Sequence, residues 1–185
     1  MKPIAANSHG AGLHGTLDKI LISACLLGEA VRYDGKSLLC EHPLIQRWLQ
    51  EGRLVAVCPE VSGGLTTPRP PAEIIVHTEP SPLNGGQAVL TGAASVQTQG
   101  GEDVSAAFMN GAQDALKLCQ QQRISLALLS ARSPSCGNEH IYNGQFNKTL
   151  ISGMGVTATL LTQAGIKVFN QFQIEALAQQ LNRTR

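Results

Sequence analysis

The chain has 185 residues, with 14 Lys and Arg against 13 Asp and Glu and a formal net charge of +1. That balance gives no support for non-specific nucleic-acid binding, a polybasic membrane anchor or an acidic tail. Hydrophobic residues make up 43% of the chain and aromatics 4%, which suits one packed domain but not a stacking platform for single strands.

The elements follow in chain order. Residues 1–17 hold scattered Gly, Ser and His and read as a flexible N-terminal extension ahead of a single domain over 18–185. They lack the ~7–15-residue apolar stretch of a secretory signal, and no run nears the ~20 residues of a membrane span. A cytoplasmic protein is expected. The run from Lys19 to Ala24 is apolar and β-branched and predicts a buried strand ending at Cys25. Tyr33-Asp34-Gly35 predicts a turn. A helix is predicted from about His42 to Gln50, with Leu44, Ile45, Trp48 and Leu49 on one face, Pro43 in its first turn and Gly52 at its end. Leu54 to Val57 predicts a second buried strand, ending at Cys58. Pro59 to Pro71 is broken by glycines and prolines and predicts a loop. Ala72 to Val76 predicts a strand, Ser81 to Gly86 a turn, and Ser95 to Gln99 is ambiguous. Glu102 to Gln122 predicts the longest helix. Leu126 to Leu129 predicts a third buried strand. Asn143-Gly144 predicts a two-residue hairpin turn between Ile141-Tyr142 and Gln145-Phe146. A helix over Val156 to Gln163, a strand over Ile166 to Phe169 and a helix over Ile174 to Leu181 complete the chain, the last capped by Asn170 with Gln173 in the capping-box place. Strands alternating with helices predict an α/β single domain, Rossmann-like, with a mainly parallel sheet flanked by helices and an active site at the carboxyl ends of the strands.

The five cysteines are odd in number and form no compact C-x2-C pair, which speaks against a disulfide framework or a structural zinc site. Cys25 directly follows the first predicted strand, Cys58 directly follows the second, and Cys136 lies in the loop after the third. The fold therefore brings three thiols distant in sequence to one sheet edge. Free cysteine also fills core volume, and Cys119, on the apolar face of the long helix, reads as core. Cys40, near a helix start, reads as structural. Three thiolates without a clear fourth ligand suit a catalytic zinc with one open position or an iron–sulfur cluster with one open iron, and spacing does not choose between them. Polar groups gather on the same loops. Glu60 is the natural proton carrier. Ser133 is placed to orient a substrate, and Ser23 and Arg69 are candidate substrate contacts. Arg69 and Arg132 are also candidates for holding an anion or a ring oxygen.

These residues carry a family resemblance. SACLLG (23–28), Tyr33-Asp34-Gly35, CPEVSGGL (58–65), TPRPPAEI (67–74), ARSPSCG (131–137), IYNGQF (141–146) and GVTATLL (155–161) resemble, in that order, the DUF523 family, which includes the thiouracil desulfidases. The resemblance runs from about Ile20 to Phe169. Thr66-Thr67-Pro68 departs mildly from the family's Pro-Thr-Pro stretch. The resemblance implies a [4Fe-4S] cluster held by Cys25, Cys58 and Cys136, with Glu60 and Ser133 catalytic. It implies a reaction without external electrons, in which the open iron takes the thione sulfur of 2- or 4-thiouracil, water attacks the carbon, and uracil and sulfide leave. The expected partner is a small thiolated pyrimidine, with no nucleic acid and no membrane. The competing readings are the same chemistry on thiolated nucleosides or nucleotides, a sulfur or cluster carrier without turnover, and a zinc-dependent hydrolase.

Overall fold

The computed structural model describes residues 17–77 and 85–183. In chain order it forms β1 (Ile20–Ser23), a 3-10 turn (Ala24–Leu27), α1 (Pro43–Gln50), β2 (Leu54–Val57), α2 (Pro59–Ser62), β3 (Ala72–Val76), α3 (Gly85–Leu90), β4 (Ala94–Thr98), α4 (Ser105–Gln122), β5 (Leu126–Leu129), β6 (His140–Tyr142), β7 (Leu150–Ser152), α5 (Val156–Gln163), β8 (Lys167–Asn170) and α6 (Ile174–Arg183). Residues 1–16 of the expected extension, and 81–84 of the expected turn, lie outside the described residues.

The main sheet has four parallel strands in the order β2-β1-β5-β8. Its central strands β1 and β5 are buried along their whole length, which is why they read as unbroken apolar runs. Successive side chains point to opposite faces. Ile20, Ile22, Leu126 and Leu128 meet Ile45 and Trp48 of α1 and Ile174 and Leu177 of α6. Leu21, Ala127 and Leu129 meet Ala115 and Cys119 of α4 and Ala158 and Leu161 of α5. The result is the expected α/β domain, a parallel sheet with helices on both faces.

Two antiparallel hairpins stand apart from this sheet, β3 with β4 and β6 with β7. Their shared core holds Ile74, Val96 and Ile141 against Phe108 and Ala112 of α4 and Val156 of α5.

Several expectations change. The loop expected over Pro59 to Pro71 begins with the one-turn helix α2, with Pro59 at its first position, a place where the missing N–H of proline does no harm. Four residues are too few for a helical period to show. The ambiguous segment is β4, paired in register with β3 from Ala72↔Thr98 to Val76↔Ala94. The turn expected up to Gly86 gives way at Gly85 to α3. Two leading glycines argue against a helix on propensity, but they are needed for space, since a Cβ on Gly86 would lie 2.5 Å from the Gly155 carbonyl oxygen. The hairpin after Tyr142 is longer than two residues. Tyr142 pairs with Leu150, and residues 143–149 connect them with three left-handed positions, Gly144, Phe146 and Lys148. Gln145-Phe146 is therefore not a strand. Leu49 is 51% exposed rather than part of the buried face of α1.

Candidate active site

Parallel pairing lines up the carboxyl ends of the strands. Ser23 lies opposite Val57, and Leu129 opposite Asn170. Cys25 sits in the 3-10 turn directly after β1, Cys58 directly after β2, and Cys136 in the loop after β5. All three line one cavity of about 780 Å³. Burial pushes each of the three thiols above its ordinary pKa. Like-charge repulsion adds to this, from Cys58 on Cys25 and from Glu60, Cys25 and Cys58 on Cys136. Thiols held protonated by burial and by neighbouring negative charge are stabilised as thiolates by a nearby cation.

Local structure fixes each thiol. Cys25 belongs to a turn closed by Gly28, whose N–H reaches the Cys25 carbonyl at 3.2 Å and whose φ of 96° suits glycine alone. Cys58 is the N-cap residue of α2, and the backbone N–H groups of Val61 and Glu60 favour its thiolate against burial and the Glu60 charge. α2 itself is pressed onto α4. A Cβ on Gly111 would lie 1.8 Å from the Pro59 carbonyl oxygen, and one on Gly63 would lie 2.0 Å from that of Ala107. Cys136 is held by the start of α5. The N–H of Val156 reaches the Pro134 carbonyl at 2.9 Å, and those of Thr157 and Ala158 reach the Ser135 carbonyl at 2.9 and 3.1 Å. Donors that a helix start leaves without partners are thus used to fasten the cysteine loop.

Glu60 and Ser133, expected as a catalytic pair, are brought together. The Ser133 hydroxyl accepts the N–H groups of Ser135 at 3.0 Å and Cys136 at 3.2 Å. Its own proton is left to point at Glu60 Oε1, 3.2 Å away. Glu60 Oε2 accepts two N–H groups of Arg69, Nε at 2.9 Å and Nη2 at 2.7 Å. The carboxylate is therefore gripped at both oxygens, and the ion pair is mostly shielded, with side-chain exposures of 7% for Arg69 and 15% for Glu60.

The two residues expected to contact substrate are engaged by the protein. Arg69 spends its remaining N–H donors on the carbonyls of Val31 and Thr66 and the hydroxyl of Thr67, at 3.1 Å each. Ser23 is buried, accepts the Ser130 N–H at 2.9 Å and donates to Cys136 Sγ at 3.6 Å. Both line the cavity. Arg132 also lines it, exposed, with its guanidinium 5.9 Å from the ring centre of Phe172. Cys119 is in the core, where burial pushes its thiol up to about 11. Cys40 packs half-buried beside α1 and is absent from the cavity lining.

Sequence reasoning missed Gly63 and Gly111, whose role is to bring two helices into contact, and Glu73, a buried carboxyl in the cavity wall. Glu73 stands in the TPRPPAE segment, but nothing in its spacing separates it from a surface glutamate.

Among the described residues, no three His, Cys, Asp or Glu side chains gather closely enough to hold one metal ion. A mononuclear zinc site needs such convergence. A cubane cluster presents a separate iron to each thiolate, so its ligands stand apart around it. An all-thiol donor set around a cavity suits that soft cofactor. Among the described residues no helix is long and apolar enough to cross a membrane.

The chain is 42% identical over 155 residues to the uncharacterized protein YbbK of Bacillus subtilis (strain 168), a match covering 84% of this chain and 97% of that one. It is similar to the solved structure of the [4Fe-4S]-dependent thiouracil desulfidase TudS, with 45% identity, a TM-score of 0.78, and coverage of 89% of this chain and 98% of that one. The profile of the 2-thiouracil desulfurase family matches residues 20–173, which include all three thiols, Glu60, Arg69 and Ser133. The chain belongs to the 2-thiouracil desulfurase family of enzymes.

Proposed function

We propose that this protein converts thiouracil to uracil by hydrolysis: the thione C=S bond is lost, a C=O bond forms from water, and hydrogen sulfide leaves without net transfer of electrons. In this reading Cys25, Cys58 and Cys136 hold a [4Fe-4S] cluster. When bound, the cluster supplies a soft Lewis-acidic iron that polarises the thione. The remaining work falls to the chain. Glu60 takes a proton from the attacking water and returns one to the departing sulfur. Arg69 holds the carboxylate so that its proton-accepting oxygen keeps one direction. Ser133 shares its proton with Glu60 Oε1 and turns toward the ring when that oxygen is protonated. Ser23 keeps Cys136 in place and aligns the ends of β1 and β5. The five free cysteines suit a reducing compartment, and a cytoplasmic location belongs to the same proposal.

The observation that carries this reading is the carboxylate of Glu60, fixed between Ser133 and Arg69 on the cavity that the three thiols line. A carrier of sulfur or clusters needs the thiols but has no use for a proton-transfer pair. The cavity volume also favours the second reading, thiolated nucleosides or nucleotides, because about 780 Å³ lies in the range that accommodates a drug-sized ligand. Turnover of thiouracil in water enriched in heavy oxygen tests the proposal. One labelled oxygen in each uracil, with no added reductant, is expected. Unlabelled uracil, or a requirement for reductant, would overturn it.

A further inference from the structure

The cavity wall formed by the β3–β4 pair contains a carboxyl group that the proposed reaction leaves unused. Glu73, the second residue of β3 and opposite Gln97 of β4, is only 7% exposed, yet it lines the cavity. Its Oε2 accepts the backbone N–H of Phe146 at 3.1 Å. Among the described residues no donor reaches Oε1, and Glu73 forms no ion pair. Its cross-strand neighbour Gln97 turns its amide to Ser95 instead, at 2.9 Å. A carboxylate oxygen that no protein donor reaches is left to solvent or to a ligand, and Glu73 stands in the cavity wall. Tyr142 and Phe146 line the same cavity, and aromatic rings are common partners for a planar base.

We propose that Glu73 is a substrate-binding residue whose free Oε1 accepts a hydrogen bond from the bound pyrimidine, on the side of the ring turned away from the reacting sulfur. The inference rests on the thiolated-pyrimidine reading of this cavity. In a six-membered ring the atom opposite C4 is N1. A base with sulfur at C4 and its thione directed at the three thiols therefore turns its N1–H outward. In a nucleoside that hydrogen is replaced by a sugar, whose hydroxyls are donors of the same kind. Glu73 thus selects for a donor at the outer end of the substrate, and its bond to Phe146 ties that selection to the position of the 143–149 connection.

Calorimetric titration of the cluster-loaded protein tests this with three unreactive probes: uracil, uridine and 1-methyluracil. The wild type is compared with Glu73→Gln and Glu73→Ala. Gln retains one acceptor for the Phe146 N–H but has no second acceptor for a ligand. The dissociation constant of uracil, uridine or both is expected to rise roughly tenfold or more in both variants, as for loss of a hydrogen bond to a charged group. 1-Methyluracil, with neither N1–H nor sugar, is expected to bind all three proteins equally. Which of the other two probes responds identifies the donor as ring N–H or hydroxyl. The proposal is overturned if Glu73→Gln binds like the wild type while Glu73→Ala does not, because support of Phe146 would then be the whole role. It is equally overturned if neither variant changes the binding of either probe, or if neither probe binds the wild type. Sulfide release from thiouracil by the same wild-type preparation is read separately, so a failure of the desulfurising reading shows there and not in the titration.

Discussion

The carboxyl edge of the parallel sheet and the wall made by the two hairpins line the same cavity, but they hold their side chains differently. At the edge almost every polar group has several partners. Arg69 uses five N–H donors, Ser133 makes three hydrogen bonds, and the Cys136 loop is fastened by three backbone N–H groups of α5. On the wall, Glu73 has a single hydrogen bond among the described residues, Phe146 and Lys148 sit at positive φ, and Leu150 and Ile151 of β7 are exposed. Under the proposed function the difference separates two tasks. Bond-breaking chemistry needs atoms fixed to a fraction of an ångström, whereas substrate shape can be read by a wall that adjusts. Substitutions at the edge should therefore act on kcat or cofactor content, and those on the wall on KM.

The largest effect is expected from the thiols. Cys25→Ser, Cys58→Ser or Cys136→Ser should each abolish sulfide release and sharply reduce bound iron and acid-labile sulfide per chain. A variant that keeps both would remove its cysteine from the proposed ligand set. Glu60→Gln should lower kcat by ~10²–10⁴-fold while iron content stays at the wild-type level. That combination separates a proton-transfer role from a structural one. Arg69→Lys should follow, with kcat falling about 10–100-fold, since a lysine cannot reproduce the side-on grip on Glu60. KM should change little, and a rise in KM with kcat unchanged would make Arg69 a substrate contact instead.

A fourth prediction concerns packing. Gly→Ala inside a helix ordinarily stabilises by roughly 0.5–1 kcal/mol. Gly111→Ala in α4 should do the opposite, costing ~1–3 kcal/mol, because its methyl would meet the Pro59 carbonyl beneath Cys58. Thermal unfolding of the apoprotein measures this, and a stabilised variant would contradict the close contact of α2 and α4. The smallest effect is expected at the cavity mouth. Phe172 is 71% exposed, so Phe172→Ala should change stability by less than ~0.5 kcal/mol and leave kcat unaltered. A marked fall in kcat would extend the rigid edge further outward than its hydrogen bonds indicate.

The same two regions differ in how far they could be read from sequence. β5 and α5 fall on the residues their apolar patterns mark, because each buries its own short stretch against the core; β2 falls on its expected residues too, but as an edge strand that is only partly buried, with Ala56 exposed, and not as the buried strand expected. That the three thiols, Glu60 and Ser133 line one cavity was legible because each lies in the segment that follows a strand of the parallel sheet, and parallel pairing brings those segments to one edge. Two edge features were not. Gly63 and Gly111 act by lacking a side chain, and the ion pair of Arg69 with Glu60 is a tertiary contact that no local pattern marks. On the wall, legibility failed more widely. β4 carries Ser, Gln and Thr among its five residues, so its apolar alternation is faint. The 143–149 connection takes its shape from left-handed Phe146 and Lys148 and from the Glu73 contact, which no local pattern encodes. α3 begins with glycines because of what it packs against, so tertiary space overrides propensity there.

The most direct test of the central claim is anaerobic reconstitution with iron and sulfide, followed by assay of 2- and 4-thiouracil in the absence of any reductant. The account predicts about four irons per chain and one sulfide released for each uracil formed, with many turnovers per protein. A protein that binds zinc without acid-labile sulfide, or one that takes up a full cluster yet releases no sulfide from either base, would contradict it.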